Sequence, residues 1–588
     1  MARQQTFTRG ALLIALAATG ATMSVPAVAE RISAVADGPP SLGAVPISVL
    51  QGEAERAMYR IIDSGDLDGD GARDLAVAWS VRPTSGSEEA HYGIVFGRPR
   101  WPVHAARTAL TNTIEVIVPQ RRGLLAPSQA DFTFGGLEDV DGDGRDDILI
   151  ARSDDYAGNV AITVAVYHGH AQPWADLDVA ATAPDFTLRQ PSIGRDPAAA
   201  RTIPRPNRFQ SGDVNGDGLP DVMAFSCELK SPRYGRGDEG ALLVWLGVIG
   251  GPAHIDMTAD DPDHILYGDP GELLGCLGLY GTTDFDGDGR FDLLITGWDA
   301  PRQEHVVHFL PGRPDWPAVG HVADLAAATF FLDEDENRGD QSVYSPRFIP
   351  DVDGDGLPEL KVRSAGAVYA ASHLWYSRGA ALSGATSVRA ADLNLVDTWM
   401  DSEGLGLSGT LDARQRRDVN ADGRSDLVYM LLRPNDRGPW RWRFHLDAAN
   451  APNATLRPRT DPTVGDASFE RPEPAAGEAR PVMWLGDFTG DGVDDMWISE
   501  STARGTDRTL DAGLNTLYGG PLTGQAAPTA AASPTTPVAP PTTTPGSPPS
   551  ATATTVPPTL VASPTASPTA APIPDGMYFP LVMFEWRR

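Results

Sequence analysis

The chain has 588 residues, a formal net charge of −31 and 41% hydrophobic residues, enough to bury a large core in one domain or several. Such acidity excludes nucleic acid as a partner, because phosphate binding needs a basic face. The two cysteines, Cys227 and Cys276, exclude a disulfide framework; they can form one bridge in an oxidising compartment or stay as two buried thiols.

Residues 1–29 have the form of an export signal: Arg3 and Arg9, the apolar stretch ALLIALAATGATM, then small residues at Ala27–Ala29. A membrane anchor fits less well, since the run is short and interrupted by glycine, and no later segment is long and apolar enough to span a bilayer. The mature chain is therefore expected outside the membrane, secreted or at the cell surface. Residues 30–44 form a lead-in.

From residue 45 to 522 the chain repeats. The stretch DLDGDGARD from Asp66 returns at Asp139, Asp213, Asp284, Asp351, Asp418 and Asp487, at steps of 73, 74, 71, 67, 67 and 69 residues. A short extended run precedes each copy (MYRII, FTFGG, VMWLG) and an apolar, often β-branched run follows it (DLAVAW, DILIAR, DLLITG). Some 20–25 residues later most copies carry a second run ending in glycine, such as YGIVFG, VAVYHG, LLVWLG or NTLYGG. Short runs bounded by Gly, Pro and Asp read as strands, and no segment has sustained helical periodicity. A unit of about 70 residues with room for four strands is one blade, and seven such units predict an all-β, seven-bladed β-propeller. The units at Asp351 and Asp418 lack the aromatic-glycine ending, which leaves their third strands in doubt. The seventh unit is one strand short, and GAVPISVLQG at residues 43–52 is positioned to supply it and lock the ring.

These loops, D-x-[DNT]-[GA]-D-G-x-x-[DE], together with the YGIVFG-type strands, resemble the FG-GAP or VCBS repeats of bacterial surface proteins and of the integrin α-chain N-terminal propeller. The resemblance implies a propeller with a calcium loop in each blade. The chemistry agrees, because Ca²⁺ takes six to eight oxygens, which alternate side chains and one carbonyl of a short loop can provide. Positions 1, 3, 5 and 9 would offer side-chain oxygens and position 7 its carbonyl. In chain order the sets are Asp66, Asp68, Asp70, Ala72 and Asp74; Asp139, Asp141, Asp143, Arg145 and Asp147; Asp213, Asn215, Asp217, Leu219 and Asp221; Asp284, Asp286, Asp288, Arg290 and Asp292. They continue with Asp351, Asp353, Asp355, Leu357 and Glu359; Asp418, Asn420, Asp422, Arg424 and Asp426; and Asp487, Thr489, Asp491, Val493 and Asp495. The loops at Asp66, Asp139, Asp284 and Asp351 carry four acids, Asn215 and Asn420 reduce two others to three, and Thr489 makes the last the weakest. Up to seven structural Ca²⁺ ions would offset 14 of the 31 formal negative charges. EF-hands and dockerin-like modules are set aside because β-type runs, not helices, follow each loop.

Residues 523–574 are nearly all Pro, Thr, Ala and Ser and are expected to form a disordered, polyproline-biased stalk open to O-glycosylation. Residues 575–588, ending in MYFPLVMFEWRR, are a short apolar tag, read either as a surface-attachment signal without an LPxTG motif or as an end that folds back on the propeller.

No GxSxG, HExxH, Walker or zinc-finger pattern occurs. His305 and His308, three apart on a predicted strand, face opposite sides; His168 and His170 flank Gly169 at a strand end and read as surface residues. Trp101, Trp174 and Trp316 read as packing between blades rather than sugar platforms. The RGD triplets at 236–238 and 338–340 read as coincidence, and no D-x-S-x-S adhesion site is present. The expected protein is a monomeric, calcium-stabilised binding or adhesion module for an extracellular protein or glycan. The alternatives are a polysaccharide-acting hydrolase or lyase using the central face, and a plain spacer.

Overall fold

The computed structural model describes residues between 46 and 521, with breaks mainly in connecting loops; residues 1–45 and 522–588, both cysteines and both RGD triplets lie outside the described residues. The chain forms seven sheets arranged as the blades of an all-β propeller. Blade 1 shows the pattern, with strands Arg60–Gly65, Asp74–Val81, Glu89–Val95 and Thr113–Ile117 running antiparallel from the first to the fourth. The longest described α-helix is the single turn Val322–Leu325.

The apolar runs after each acidic loop are buried on both faces because each blade is covered on both sides. In blade 1, Leu75, Val77 and Val95 pack with Trp484, Trp497 and Leu517 of blade 7. The alternate residues Ala76 and Ile94 pack with Phe134, Ile148 and Ile150 of blade 2. The period-2 alternation of a strand thus divides one apolar run between two neighbours, which is why these runs read as continuously hydrophobic.

The ring closes as the sequence predicts. Pro46–Gln51 pairs antiparallel with Leu514–Tyr518 and becomes the fourth strand of blade 7. The third strands left in doubt are present, Tyr369–Trp375 in blade 5 and Trp440–His445 in blade 6. In blade 6 the described first strand is short, Thr398–Trp399, and lies well ahead of Asp418.

A fifth strand, absent from the sequence reading, is added to six blades. It is short and parallel to the fourth strand, and it always comes from the next blade's connection between third and fourth strands. Leu177–Asp178 of blade 2 extends blade 1, His254–Asp256 of blade 3 extends blade 2, and so on round to His104–Ala106 of blade 1, which extends blade 7. Among the described residues blade 6 alone has four strands. The reason is topological: the fourth strand of blade 7 is the N-terminal segment, so no connection joins it to the third strand.

Candidate metal centres

Each acidic loop joins the first strand of its blade to the second, and all seven share one hydrogen-bond scheme. The position 1 carboxylate accepts from the position 6 N–H in every copy, as Asp66 Oδ2 does from Gly71 at 3.0 Å. The position 5 carboxylate accepts from the position 7 N–H, as Asp70 Oδ1 does from Ala72 at 2.8 Å. These Asx-type turns require left-handed backbone at positions 4 and 6, which glycine provides. Position 4 of blade 6 is the exception, Ala421 at φ 62°.

In four loops three carboxylates bring oxygens within 4.8 Å of one another: Asp66, Asp68 and Asp70; Asp139, Asp141 and Asp143; Asp284, Asp286 and Asp292; Asp351, Asp353 and Asp355. These are the four loops with four acids in the sequence. Position 9 enters the trio only at Asp292. In the other three loops the weaker residue at position 3 stands apart chemically: Asn215 Nδ2 and Asn420 Nδ2 each donate to the position 5 carboxylate at 3.0 Å. Thr489 replaces the acid outright in blade 7.

The donor sets fit a hard divalent cation. They are all oxygen, partly buried, and mutually repulsive without a counter-charge: Asp66 is pushed above the ordinary carboxylate range first by burial and then by Asp70 and Asp68. Asp286 is raised likewise, by burial and then by Asp288. In the loops of blades 2 and 4 a cation is at hand, Arg145 on Asp143 at 2.7 Å and Arg290 on Asp288 at 2.6 Å. Their position 7 side chains therefore do more than the carbonyl role read from sequence. Around the loops of blades 1 and 2, Gln172 Nε2 donates to Asp68 Oδ2 at 2.9 Å, and His168 Nδ1 lies 3.3 Å from Asp141 Oδ2.

Position 9 has a second task. In all seven loops its carboxylate accepts from the position 2 N–H, as Asp74 Oδ2 does from Leu67 at 2.8 Å. In five blades its other oxygen accepts from the glycine ending the third strand: Gly97, Gly169, Gly247, Gly312 and Gly520. Blades 5 and 6 lack that glycine, and there Glu359 Oε1 and Asp426 Oδ1 are buried with no hydrogen-bond partner among the described residues. The aromatic-glycine ending that the sequence shows in most units is thus the donor for the loop's last acid. Burial raises these acids strongly, Asp74 to about 8 and Glu359 to about 9.

Position 8 joins one loop to the next. Its N–H donates to the position 1 carbonyl of the preceding blade from Arg73, Asp146, Phe291, Ser425 and Asp494. The two remaining residues at this position are Pro220 and Pro358, which have no N–H to give. Asp146 and Asp494 add a side-chain bond each, accepting from Asp66 N and Asp418 N at 2.7 Å. At three of these joints the residue before the preceding loop is glycine, where a Cβ on Gly65, Gly212 or Gly486 would run into Asp146, Phe291 or Arg73. These bonds link the loops of blades 5, 6, 7, 1 and 2 in one run and those of blades 3 and 4 in another.

The histidines and tryptophans behave as the sequence suggests. His308 is buried on Glu272 at 2.6 Å, whereas His305 packs on Trp298. Trp101 and Trp316 donate from Nε1 to the position 2 carbonyls of Phe488 and Val214 in the preceding blades, at 3.0 and 3.1 Å. Trp174 sits 6.3 Å from Phe96 across the junction of blades 1 and 2. A row that sequence reasoning missed crosses blade 5: Ser364 Oγ lies 2.7 Å from His373 Nε2, and Asn394 Oδ1 lies 2.5 Å from Nδ1. Its order resembles a hydrolytic triad, but Ser364 and His373 are 0% and 2% exposed. Burial lowers His373 to about 4, so the ring stays neutral inside the blade packing.

No protein-family model matches this chain, and no curated protein matches it. Among solved structures it is similar to a protein of unknown function from Dyadobacter fermentans DSM 18053, at 10% identity and TM-score 0.30, over 81% of this chain and 99% of that one. It is also similar to the Bacillus licheniformis rhamnogalacturonan lyase PL11, at 13% identity and TM-score 0.29, over 82% and 90%. The exotype rhamnogalacturonan lyase YesX follows at 11% and 0.26, over 82% and 91%. Likenesses this distant carry no argument about activity.

Proposed function

We propose that the loops are structural calcium sites and that the protein is a secreted or surface-tethered propeller that binds an extracellular protein or glycan. The observation that carries the metal reading is the convergence of three carboxylate oxygens within 4.8 Å in each of the four loops richest in acid. Positions 1, 3 and 5 would hold the ion in three of them, with position 7 giving its carbonyl and position 9 bracing the loop from below. The ion would neutralise charge and fix the first two strands of each blade. The export-type residues 1–29 and the Pro/Thr-rich stretch after the ring support placement outside the cell, and no described helix is long and apolar enough to cross a membrane.

At millimolar Ca²⁺ a site with Kd ~10⁻⁴ M contributes roughly 1.4 kcal/mol by linkage, so seven would approach ~10 kcal/mol. Calorimetric titration of chelated protein, followed by thermal melting, tests this. Binding of at least four ions with a large rise in melting temperature is expected; an unchanged melt in excess chelator removes the role. Glycan arrays and pull-downs with and without Ca²⁺ address the partner, and capture that disappears with chelator supports a binding face organised by the loops. The His308–Glu272 pair and the Ser364–His373–Asn394 row are sealed inside blades, so neither favours the hydrolase or lyase reading.

A further inference from the structure

We propose that the loop of blade 5 is the tightest of the calcium sites, an inference that rests on the calcium reading and ranks the sites within it. Glu359 sets this loop apart by offering the ion an oxygen that the other convergent loops commit to backbone N–H groups. In those three loops both oxygens of the position 9 acid are engaged. Asp74 accepts from Leu67 and Gly97, Asp147 from Val140 and Gly169, and Asp292 from Phe285 and Gly312, at 2.8–2.9 Å. Blade 5 departs from this pattern. Glu359 Oε2 accepts from Val352 N at 2.7 Å, whereas Oε1 is buried with no hydrogen-bond partner among the described residues. Glu359 is 0% exposed, so bulk solvent does not supply the missing donor.

Val352 lies between Asp351 and Asp353, two of the three acids whose oxygens converge in this loop. A carboxyl group held on the Val352 N–H therefore sits against the convergent centre. Beyond its burial, the charges of Asp353 and Asp351 act on it. Position 9 can reach such a centre: Asp292 belongs to the convergent set of blade 4 even with one oxygen tied to Gly312. The added methylene of Glu359 gives its uncommitted oxygen more reach than the Asp of the other six loops has. Among the described residues Asp426 Oδ1 of blade 6 also lacks a partner, but there Asn420 donates from Nδ2 to Asp422 at 3.0 Å in place of a third acid. In blades 2 and 4 the position 5 acid is shared with Arg145 or Arg290, whereas position 7 of blade 5 is the uncharged Leu357.

Two effects act in the same direction. Affinity at a hard-cation site rises with the number of charged ligands, and Glu359 adds one to Asp351, Asp353 and Asp355. A buried oxygen without a donor also raises the free energy of the ion-free loop, and a bound cation removes that penalty. In blades 1, 2 and 4 the glycine N–H has already removed it.

Calorimetric titration of the chelated full chain with Ca²⁺ at about pH 8.5, where proton competition for the ligand acids is low, tests the ranking. One ion is expected to bind at least about tenfold more tightly than the next. Glu359→Gln keeps the size of the side chain and can still accept the Val352 N–H, and it should bring that ion down to the affinity of the others. Independently of how the variant folds, wild-type crystals given less than one equivalent of Tb³⁺ should show their first anomalous peak in blade 5 beside Glu359. A first peak in another blade, ions of equal affinity, or a tight ion that survives in Glu359→Gln overturns the ranking and leaves the calcium reading standing. No ion bound at all overturns the calcium reading itself, and the ranking with it.

Discussion

The N–H of Gly97 donates to Asp74 Oδ1 at 2.8 Å, tying the end of the third strand of blade 1 to the last acid of its loop. The glycine is needed for space as well as for the bond: a Cβ there would lie 2.8 Å from both Ala72 Cβ and the Arg73 carbonyl oxygen. Gly97→Ala is therefore expected to cost about 2–3 kcal/mol through overpacking. Asp74→Asn should cost about 1–3 kcal/mol, because an amide NH₂ would then face a backbone N–H. Asp426→Asn should cost clearly less, since Asp426 Oδ1 has no such partner to lose. Urea unfolding of all three in chelator, where no ion contributes, checks the order; equal costs for the two asparagine variants would dissolve the link between loop and glycine.

Gly212 and Phe291 form the tightest of the matched pairs between neighbouring blades. Gly212 precedes the loop of blade 3, and a Cβ on it would overlap the Phe291 ring of blade 4, with φ at +152° adding backbone strain. Gly212→Ala is expected to destabilise by about 2–4 kcal/mol. Phe291→Ala alone should cost about 1–3 kcal/mol of packing. The double variant should recover part of the sum, with a coupling of about 1 kcal/mol or more. Strict additivity in a double-mutant cycle would show that the two residues do not meet.

Ala421 holds the left-handed conformation that glycine holds at position 4 of the other six loops. That conformation costs an L-residue about 1 kcal/mol, partly offset by the greater freedom of glycine in the unfolded chain. Ala421→Gly should raise the stability of the propeller by a few tenths to about 1 kcal/mol, which is opposite in sign to a glycine introduced into a strand. A lower melting temperature for this variant would show that the side-chain methyl makes contacts outweighing the strain.

The parts of this fold legible in sequence are those fixed locally. The seven loops declare themselves because Asx turns and left-handed glycines demand particular residues at fixed offsets, and the strands beside them carry long apolar runs. Ring closure by Pro46–Gln51 was legible because the seventh unit is one strand short. The fifth strands were not: runs such as Leu177–Asp178 are too short for any alternation, and a parallel partner from another blade sets their register. Their signal lay in the constant step from the third strand, which appears only once strand ends are known. The joints between loops were hidden for a similar reason. Pro220 and Pro358 look like ordinary loop residues until Phe291 and Asp146, at the same position, are seen donating to the neighbouring loop. Within the candidate sites the repeat identified the acids, but not the division of labour between positions 1, 3 and 5, which converge in three of the loops, and position 9, which braces the turn.

The same division of labour sets the expected response to pH. Burial, ahead of any neighbouring charge, raises the position 9 acids above the ordinary 3.8 of Asp: Asp74, Asp147 and Asp426 to about 8, Asp292 and Asp495 to about 7, and Asp221 to about 6. Glu359 rises from 4.5 to about 9. Between the unfolded and folded values the folded chain binds more protons than the unfolded one, so stability falls as pH rises. This contribution is fully present below about pH 4 and is lost as the pH passes through the folded values, between about 6 and 9. In chelator the melting temperature should therefore decline from pH 5.5 to pH 8.5. A bound cation favours the ionised carboxylates, so millimolar Ca²⁺ should flatten or reverse that decline, and calcium affinity should increase with pH as protons are released. Parallel melting curves in chelator and in Ca²⁺ across this range would mean that the ion and the buried acids do not communicate, and the loops would then be turns stabilised by their own hydrogen bonds alone.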